Sequence, residues 1–324
     1  MVSSLVLTVT RRCNLRCSYC PTAKDGFPTL TRAQALRALD LFVDRYGGGD
    51  IKLFGGEPLL EPDTVRAVME RAEALPGVRR VYLSTNGLGL SQEWLDTIAK
   101  SEKTILTLSL DGRPEDHRRL RRALPQVADV YDHVLTLLSQ LLALPRLVIT
   151  QTIAPASAAA AHANFAHLMQ LGFRRFNFLP GYYLPWKPQQ LEALRVGFSQ
   201  IAQDIVEHWR GGRYVYVRNL FTWAPTPFFN TGLVVDSDGS VHPNNLGLSA
   251  ALTDLLKETE IGTLDDPPSP QALQDGARGI PALLRRALSP EVWESTQAVD
   301  QELTSFCNSL YSEFAAYRRR RRAA

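Results

Sequence analysis

A short aliphatic run and a cluster of cysteines follow one another directly in LVLTVTRRCNLRCSYC, residues 5–20. The run Leu5–Val9 consists of aliphatic and β-branched residues, which predicts a buried strand. The sequence has four cysteines, of which the last is Cys307. The other three lie together at Cys13, Cys17 and Cys20. A disulfide framework would spread its cysteines along the chain, so this clustering indicates a metal site.

An alternation of strand and helix patterns continues from this run to about residue 180. Five further apolar runs predict strands, which are Ile51–Phe54, Val81–Ser84, Thr104–Ser109, Leu147–Ile153 and Phe176–Leu179. Helical patterns separate them, including one over about Val127–Leu142. Six strand–helix units in succession imply a parallel sheet with right-handed crossovers. The periodicity fits an open sheet and a partial barrel equally well.

The alternation stops beyond Pro180, and the sequence there predicts a long helix over about Gln190–Trp209. Asp238-Gly239 lies between β-branched residues and predicts a β-hairpin. We therefore expect three segments, which are a core over 1–210, a C-terminal extension over 211–317 and an Arg-rich tail over 318–324.

The composition and charge of the chain are typical of a globular protein. Apolar residues make up 45% and charged residues 21%, as in ordinary globular proteins. The net charge of +3 depends on the five arginines Arg318–Arg322, for which we expect a solvated, disordered end. No other basic stripe with interleaved aromatics is present, so a nucleic-acid partner has little support.

The first residues lack a signal-peptide pattern, and no apolar run approaches the roughly 18 residues of a membrane span. These two features predict a cytoplasmic protein without a membrane partner.

The three clustered cysteines lie in a loop after a predicted strand and can converge on a small metal centre. Three ligands on a four-iron cluster leave one iron open, as a catalytic metal centre requires. A zinc site is the alternative, but it needs a fourth ligand, and no nearby His or Cys supplies one.

Three more motifs follow in order, each at the end of a predicted strand: Gly55-Gly-Glu-Pro58, Ser84-Thr-Asn-Gly87 and Ser109-Leu-Asp-Gly112. Together with the CxxxCxxC loop, they resemble the radical S-adenosylmethionine (radical SAM) superfamily over roughly residues 1–180. The resemblance implies an α/β fold with a partial (β/α)6 TIM-like barrel. It also implies two cofactors, one [4Fe–4S] cluster on the three cysteines and S-adenosylmethionine (SAM).

The resemblance further implies a set of SAM-binding residues at the carboxyl ends of the strands, where loops of parallel sheets meet. These candidates are Tyr19, Gly55, Gly56, Glu57, Pro58, Ser84, Asn86, Ser109, Asp111, Gln151 and Leu179. The GGEP motif would bind the SAM amino group, and the aromatic ring would pack near the adenine. The polar groups on the third and fourth strands would bind the carboxylate and the ribose. For each of these residues, capping or turn chemistry is the alternative.

The implied reaction is that of the superfamily. The reduced cluster donates one electron to SAM, and the resulting 5′-deoxyadenosyl radical abstracts hydrogen from a substrate C–H bond. A flavodoxin or a ferredoxin would supply the electron.

The C-terminal extension resembles the SPASM or twitch extension of peptide-modifying radical SAM enzymes. The resemblance rests on the hairpin Leu233–Pro243 and on Gly262-Thr-Leu264. In that branch a cysteine follows the proline and ligates an auxiliary cluster, whereas Asn244 and Asn245 follow it here. With only Cys307 left, no auxiliary cluster of the usual four-thiolate kind can form, and we expect the shape without the metal.

The extension favours modification of a ribosomally made peptide, with a separate leader-peptide-binding protein as a candidate partner. A small metabolite such as a sugar, nucleoside or amino acid is the alternative substrate. A non-catalytic peptide-binding relic is a further alternative.

Two features near the C-terminal third have a structural and a catalytic interpretation. Cys307 lies on a predicted helix with an apolar stripe. It is either a buried structural thiol or a hydrogen donor to a substrate radical. A lone cysteine has the second role in radical SAM peptide epimerases. Tyr182, Tyr183 and Trp186 either wall the substrate pocket or pack in the core.

Overall fold

The computed structural model describes residues 2–222 and 230–323. The described residues form twelve strands: β1 (Ser4–Thr10), β2 (Leu15–Cys17), β3 (Gly49–Gly55), β4 (Val78–Thr85), β5 (Thr104–Ser109), β6 (Arg121–Ala123), β7 (Leu147–Ile153), β8 (Arg175–Pro180), β9 (Tyr216–Val217), β10 (Thr231–Val235), β11 (Ser240–Asn244) and β12 (Gly262–Thr263).

The same residues form eleven α-helices: α1 (Arg32–Tyr46), α2 (Pro62–Ala74), α3 (Gln92–Lys100), α4 (Pro114–Leu120), α5 (Val130–Thr136), α6 (Leu138–Ala143), α7 (Ala161–Gln170), α8 (Pro188–Arg210), α9 (Leu256–Thr259), α10 (Pro270–Ala287) and α11 (Pro290–Ala323). None of them is both long and apolar enough to cross a membrane, as far as the described parts of the chain go.

The chain divides into two compact units. The first contains the described residues up to Leu108, the segment Arg122–Leu147 and the described residues from 230 to Ala287. The second contains Ser109–Arg121, the described residues from Val148 to 222 and those from Leu288 onward.

The first unit is built on a parallel sheet in the order β10-β1-β3-β4-β5, which β11 and β12 extend in antiparallel fashion. All seven residues of β1 are buried, as expected for a central strand covered on both faces. The first four predicted strands are present at the expected positions. The hairpin is also present, and Gly239 at its turn has a φ of 88°, which favours glycine.

The hairpin is part of this sheet, because β10 pairs in parallel with β1 through Leu5 and Leu233. The sequence predicted the hairpin from its turn but not its attachment to the first strand. Such pairing joins residues that are far apart in the chain and leaves no local pattern.

The helix α1 shows how local sequence sets the ends of an element in this unit. Thr31 and Gln34 form a capping box at its start, and Gly47 ends it with a φ of 82°. Leu39 and Phe42 lie on its buried face.

The second unit contains the parallel strands β7, β8 and β9 with the helices α7, α8 and α11. Its core is rich in aromatic rings in mutual contact, which are Phe165, Phe176, Phe178, Phe198 and Phe306. The predicted strands at Leu147–Ile153 and Phe176–Leu179 are therefore present as β7 and β8.

Two sequence predictions need correction. The helix expected over Val127–Leu142 is two helices, α5 and α6, which meet at Leu137. At this break the Thr136 hydroxyl donates a 2.7 Å hydrogen bond to the His133 carbonyl, and such bonds compete with the regular helical pattern. The arginines of the tail are exposed as expected but not disordered, because they lie on α11. Arginine is a good helix former, and cations near a helix C-terminus interact favourably with its dipole.

Candidate metal centre

The three clustered cysteines lie on one loop that follows the carboxyl end of β1. All three are half-buried and lie outside any disulfide bond. The Cys20 amide donates a 3.1 Å hydrogen bond to the Cys17 carbonyl, which closes a turn between these two residues. The Leu15 amide points at the Cys13 sulfur at 3.4 Å. The loop thus turns back on itself and carries all three sulfurs within eight residues.

The environment of the loop acts differently on two of its thiols. Burial raises the pKa of Cys13, although the Leu15 amide opposes this. Burial would also raise the pKa of Cys20, but Lys24 and neighbouring hydrogen bonds outweigh it and lower that pKa overall. The Lys24 ammonium lies 3.2 Å from the Cys20 sulfur. Cys20 is therefore the more easily deprotonated of these two thiols, and the thiolate is the form that binds metals.

The donor set fits a four-iron cluster better than a single zinc ion. Among the described residues, no three His, Cys, Asp or Glu side chains are already arranged around one metal position. None of the three loop cysteines takes part in a disulfide bond. Three thiolates on one loop fit three corners of a [4Fe–4S] cluster, whereas a structural zinc site needs a fourth ligand.

The GGEP motif holds the end of β3 against the backbone that leads into this loop. The Gly56 amide donates to the Thr10 carbonyl at 2.7 Å, and the Glu57 amide donates to the Arg12 carbonyl at 2.9 Å. A Cβ atom on Gly56 would lie 2.1 Å from the Arg12 oxygen, and Gly55 has a φ of 136°. The two glycines are therefore required for this close approach.

The buried Glu57 carboxylate connects the GGEP motif to the STNG motif by hydrogen bonds. Its side chain is buried and accepts hydrogen bonds from the Thr85 hydroxyl at 2.7 Å and from the backbone N–H of Asn86 at 2.8 Å. It also accepts from the Leu59 amide at 3.1 Å and so caps the short 3-10 turn that Pro58 begins. Both carboxylate oxygens are thus engaged within the first unit. The part that Glu57 takes in binding SAM stays a prediction.

Asn86 connects the third motif to the cysteine loop. Its Nδ2 donates to Asn14 Oδ1 at 2.8 Å and lies 3.9 Å from the Cys13 sulfur. Ser84, at the end of β4, and Tyr19, within the loop, are half-buried. Asn14 was not predicted, and nothing in its sequence position distinguishes it from an ordinary loop asparagine.

In the second unit, Asp111 forms a buried ion pair with Arg121. Two hydrogen bonds of 3.0 Å join the guanidinium to both carboxylate oxygens, and the Thr152 amide adds a third at 3.1 Å. Ser109, just before Asp111, is half-buried at the end of β5. Arg121 was not predicted, because no local pattern pairs it with the SLDG motif. The predicted contact of Asp111 with SAM is not tested by this arrangement.

The remaining SAM candidates lie on β7 and β8. Gln151 is buried, and its Nε2 donates to the Ala161 carbonyl at the start of α7 at 3.0 Å. Leu179 is half-buried and pairs with Thr152 across the two strands. The side-chain NH2 group of Gln151 is thus hydrogen-bonded to the first residue of α7.

Cys307 belongs to a polar cluster of the second unit that follows the carboxyl end of β8. The Tyr182 hydroxyl lies 3.1 Å from Asp300 Oδ1, and the Tyr183 amide donates to the Thr296 hydroxyl at 2.9 Å. Burial and the nearby Asp300 raise the pKa of Cys307 to about 11. The thiol therefore keeps its hydrogen at neutral pH. Tyr182 and Trp186 are buried, so their rings pack in this unit while Tyr182 keeps a polar partner.

Comparison with known proteins agrees with these motifs. Residues 7–140 match the family model of the radical SAM superfamily. GTP 3′,8-cyclase of Rhodococcus opacus (strain B4) is 34% identical over 119 residues, which are 35% of this chain and 33% of that protein. Molybdenum cofactor biosynthesis protein 1 of Bos taurus is 37% identical over 115 residues, 34% of this chain and 18% of that protein. The matched part thus spans a third or less of these curated relatives.

Solved structures show the same fold over nearly the whole chain. Native anSMEcpe with bound AdoMet has a TM-score of 0.74 at 16% identity, covering 98% of this chain and 100% of that one. Streptococcus suis SuiB bound to precursor peptide SuiA has a TM-score of 0.61 at 14% identity, covering 91% of this chain and 66% of that one.

The fold and the loop define an α/β protein with a TIM-like partial barrel and a three-cysteine loop after its first strand. Over residues 7–140 the chain matches the radical SAM superfamily, whose members are enzymes that use a [4Fe–4S] cluster and SAM. The predicted fold class, enzyme class and cofactors are confirmed. The predicted placement in the peptide-modifying SPASM or twitch branch is not, since the sequence relatives reported above are of another kind.

Proposed function

We propose that this chain cleaves SAM reductively and uses the resulting 5′-deoxyadenosyl radical to abstract hydrogen from a substrate C–H bond. One observation carries the proposal: the three-cysteine loop is tied by hydrogen bonds to the GGEP and STNG motifs within a single unit. When bound, the cluster supplies the single electron that this chemistry requires.

The residues of the loop and of the two motifs have different roles in this proposal. Cys13, Cys17 and Cys20 would hold three irons and leave the fourth for SAM. Lys24, whose ammonium lies 3.2 Å from the Cys20 sulfur, favours the thiolate at that position. Glu57 keeps the ends of β3 and β4 together, and Asn86 in turn bonds to Asn14 of the cysteine loop, so both motifs are held in a fixed arrangement beside that loop.

The test is anaerobic reconstitution with iron and sulfide, followed by assay of iron content and of 5′-deoxyadenosine release from SAM with a chemical reductant. We expect about four irons per chain and 5′-deoxyadenosine formation. Cys17→Ala should lose both, whereas Cys307→Ala, the matched control for iron content, should keep the iron. A wild-type chain that stays iron-free or takes up zinc would refute the proposal.

Two substrate classes are supported by different observations. The sequence similarity to GTP 3′,8-cyclase favours a small metabolite. The β10–β11 hairpin, and fold similarity to a protein solved with a precursor peptide, favour a peptide. For a peptide substrate, a separate leader-binding protein would be a further partner. A flavodoxin or ferredoxin is the proposed electron donor in either case.

The two classes are separated by substrate-dependent 5′-deoxyadenosine release. The anaerobic enzyme is incubated with nucleoside triphosphates and, separately, with candidate precursor peptides, and products are identified by mass spectrometry. Stimulation by one class over the substrate-free background assigns the substrate.

Cys307 is proposed as a hydrogen donor in this reaction. Its S–H bond would break as a substrate carbon radical gains a C–H bond, leaving a thiyl radical that takes one electron from the flavodoxin or ferredoxin and one proton from solvent. The test is the reaction in D2O, where wild type should place one deuterium on product carbon and Cys307→Ala should not. Equal deuterium in both would exclude this role.

A further inference from the structure

Arg11 is a fully buried arginine that lies two residues before the first cysteine of the loop. Its side chain is 1% exposed. The guanidinium pairs with both oxygens of Asp236, with Nε 3.2 Å from Oδ1, and its Nη1 donates to the Gly247 carbonyl at 2.8 Å. The Phe27 ring lies 3.7 Å away across its flat face. All of these contacts lie within the first unit.

The other flank of the cysteine loop is bound by the same C-terminal segment. The Ala23 amide donates to the Leu248 carbonyl at 2.7 Å, and the Ala250 amide donates to the Pro21 carbonyl at 2.7 Å. The residues between them form an antiparallel bridge. We call Asp236–Ala250 the clamp segment, because it holds the chain both before and after the three cysteines.

The turn of the clamp segment is shaped by two buried asparagines. Asn244 Oδ1 accepts from the Leu246 amide at 2.8 Å, and Asn245 Oδ1 accepts from the Asn230 amide at 2.8 Å. Both side chains are buried, and their oxygens organise this turn.

We propose that Arg11 is a positioning residue for the [4Fe–4S] cluster, acting through Asp236 and Gly247 to fix the clamp segment against both flanks of the cysteine loop. This inference rests on the proposed function. A buried guanidinium needs a charged partner, and its planar fork suits a carboxylate on one side and a carbonyl on the other. Residues that orient metal ligands in this way control how firmly the metal is held.

The experiment separates positioning of the loop from stability of the fold. Asp236→Asn leaves the Arg11 charge buried without its partner, so it should lower the melting temperature. The double variant Arg11→Met with Asp236→Leu removes both charges and should recover most of that loss. The control is Tyr46→Phe, which removes a buried 2.5 Å hydrogen bond to the Pro268 carbonyl in the same unit, outside the clamp segment.

The readouts are the rate of iron release to a chelator and the EPR spectrum of the reduced cluster with SAM. We expect iron release roughly tenfold faster or more in both Asp236→Asn and the double variant, with a broadened EPR signal. Tyr46→Phe should lower the melting temperature and leave both readouts unchanged. Wild-type iron retention in the double variant would overturn the inference, as would iron release that follows melting temperature across all three variants. Failure of the proposed function is distinct, because wild type itself would then assemble no cluster.

Discussion

The substitution Gly56→Ala tests the contact between the GGEP motif and the cysteine loop. The new methyl carbon would lie 2.1 Å from the Arg12 oxygen and 2.4 Å from the Arg11 oxygen, while ordinary contact begins at 3.4 Å. Both neighbours are backbone atoms, so the end of β1 must move by more than an ångström relative to β3. Overpacking of this kind costs about 1–3 kcal/mol.

The same displacement would weaken two backbone hydrogen bonds, from Gly56 to Thr10 at 2.7 Å and from Glu57 to Arg12 at 2.9 Å. At about 1 kcal/mol for each bond, the free energy of unfolding should fall by about 3–5 kcal/mol in total. The assay is urea unfolding of the apoprotein, together with iron content after reconstitution, which should also drop.

The matched control is Gly279→Ala on α10, where a Cβ atom meets nothing within 4 Å. Alanine in a helix interior should stabilise the protein by roughly 0.5–1 kcal/mol and leave iron content at the wild-type level. Wild-type stability and full iron content in Gly56→Ala would refute the reasoning, because they would mean that the ends of β1 and β3 do not touch.

Three further predictions concern buried polar groups. Arg121→Gln leaves the Asp111 carboxylate buried without its ion-pair partner and should lower the free energy of urea unfolding by about 3–5 kcal/mol; a change below about 1 kcal/mol would contradict the ion pair. Glu57→Gln turns an NH2 group toward a backbone N–H donor and should lower the free energy of urea unfolding by about 1.5–3 kcal/mol. Glu57→Asp keeps the charge but should not regain wild-type stability, because its side chain is too short to reach the same donors. Burial lowers the pKa of His242 below 6.5, so the unfolded chain binds its proton more readily and stability should fall as pH drops below about 6.5; His242→Gln should remove that part of the pH dependence, and an unchanged pH profile would disprove it.

The sequence predicted those parts of the fold and site that depend on neighbours along the chain. The strand Leu5–Val9, the cysteine loop and the hairpin turn at Gly239 all follow from local composition and spacing. The pairing of β10 with β1 and the contact of Arg11 with Asp236 join residues more than two hundred positions apart, and no periodicity reports such contacts.

The polar groups at the strand ends show a second limit of sequence reasoning. Glu57 and Asp111 were predicted because carboxylates at strand ends suit a ligand such as SAM. In the structure, Glu57 accepts bonds from the next strand, and Asp111 pairs with Arg121. The sequence does not reveal these partners within the protein, and the binding of SAM by either carboxylate stays a prediction.

The parallel pairing of Leu5 with Leu233 has a consequence for biosynthesis. Translation proceeds at about 5–20 residues per second, so the first strand waits roughly ten to forty-five seconds before its partner emerges from the ribosome. Throughout that interval one edge of the nascent strand remains open, and the backbone hydrogen bonds that join Pro21 to Ala250 and Ala23 to Leu248 cannot yet form. Insertion of iron is therefore expected to be post-translational, and premature oxidation of the nascent chain is the hazard that this order of synthesis creates.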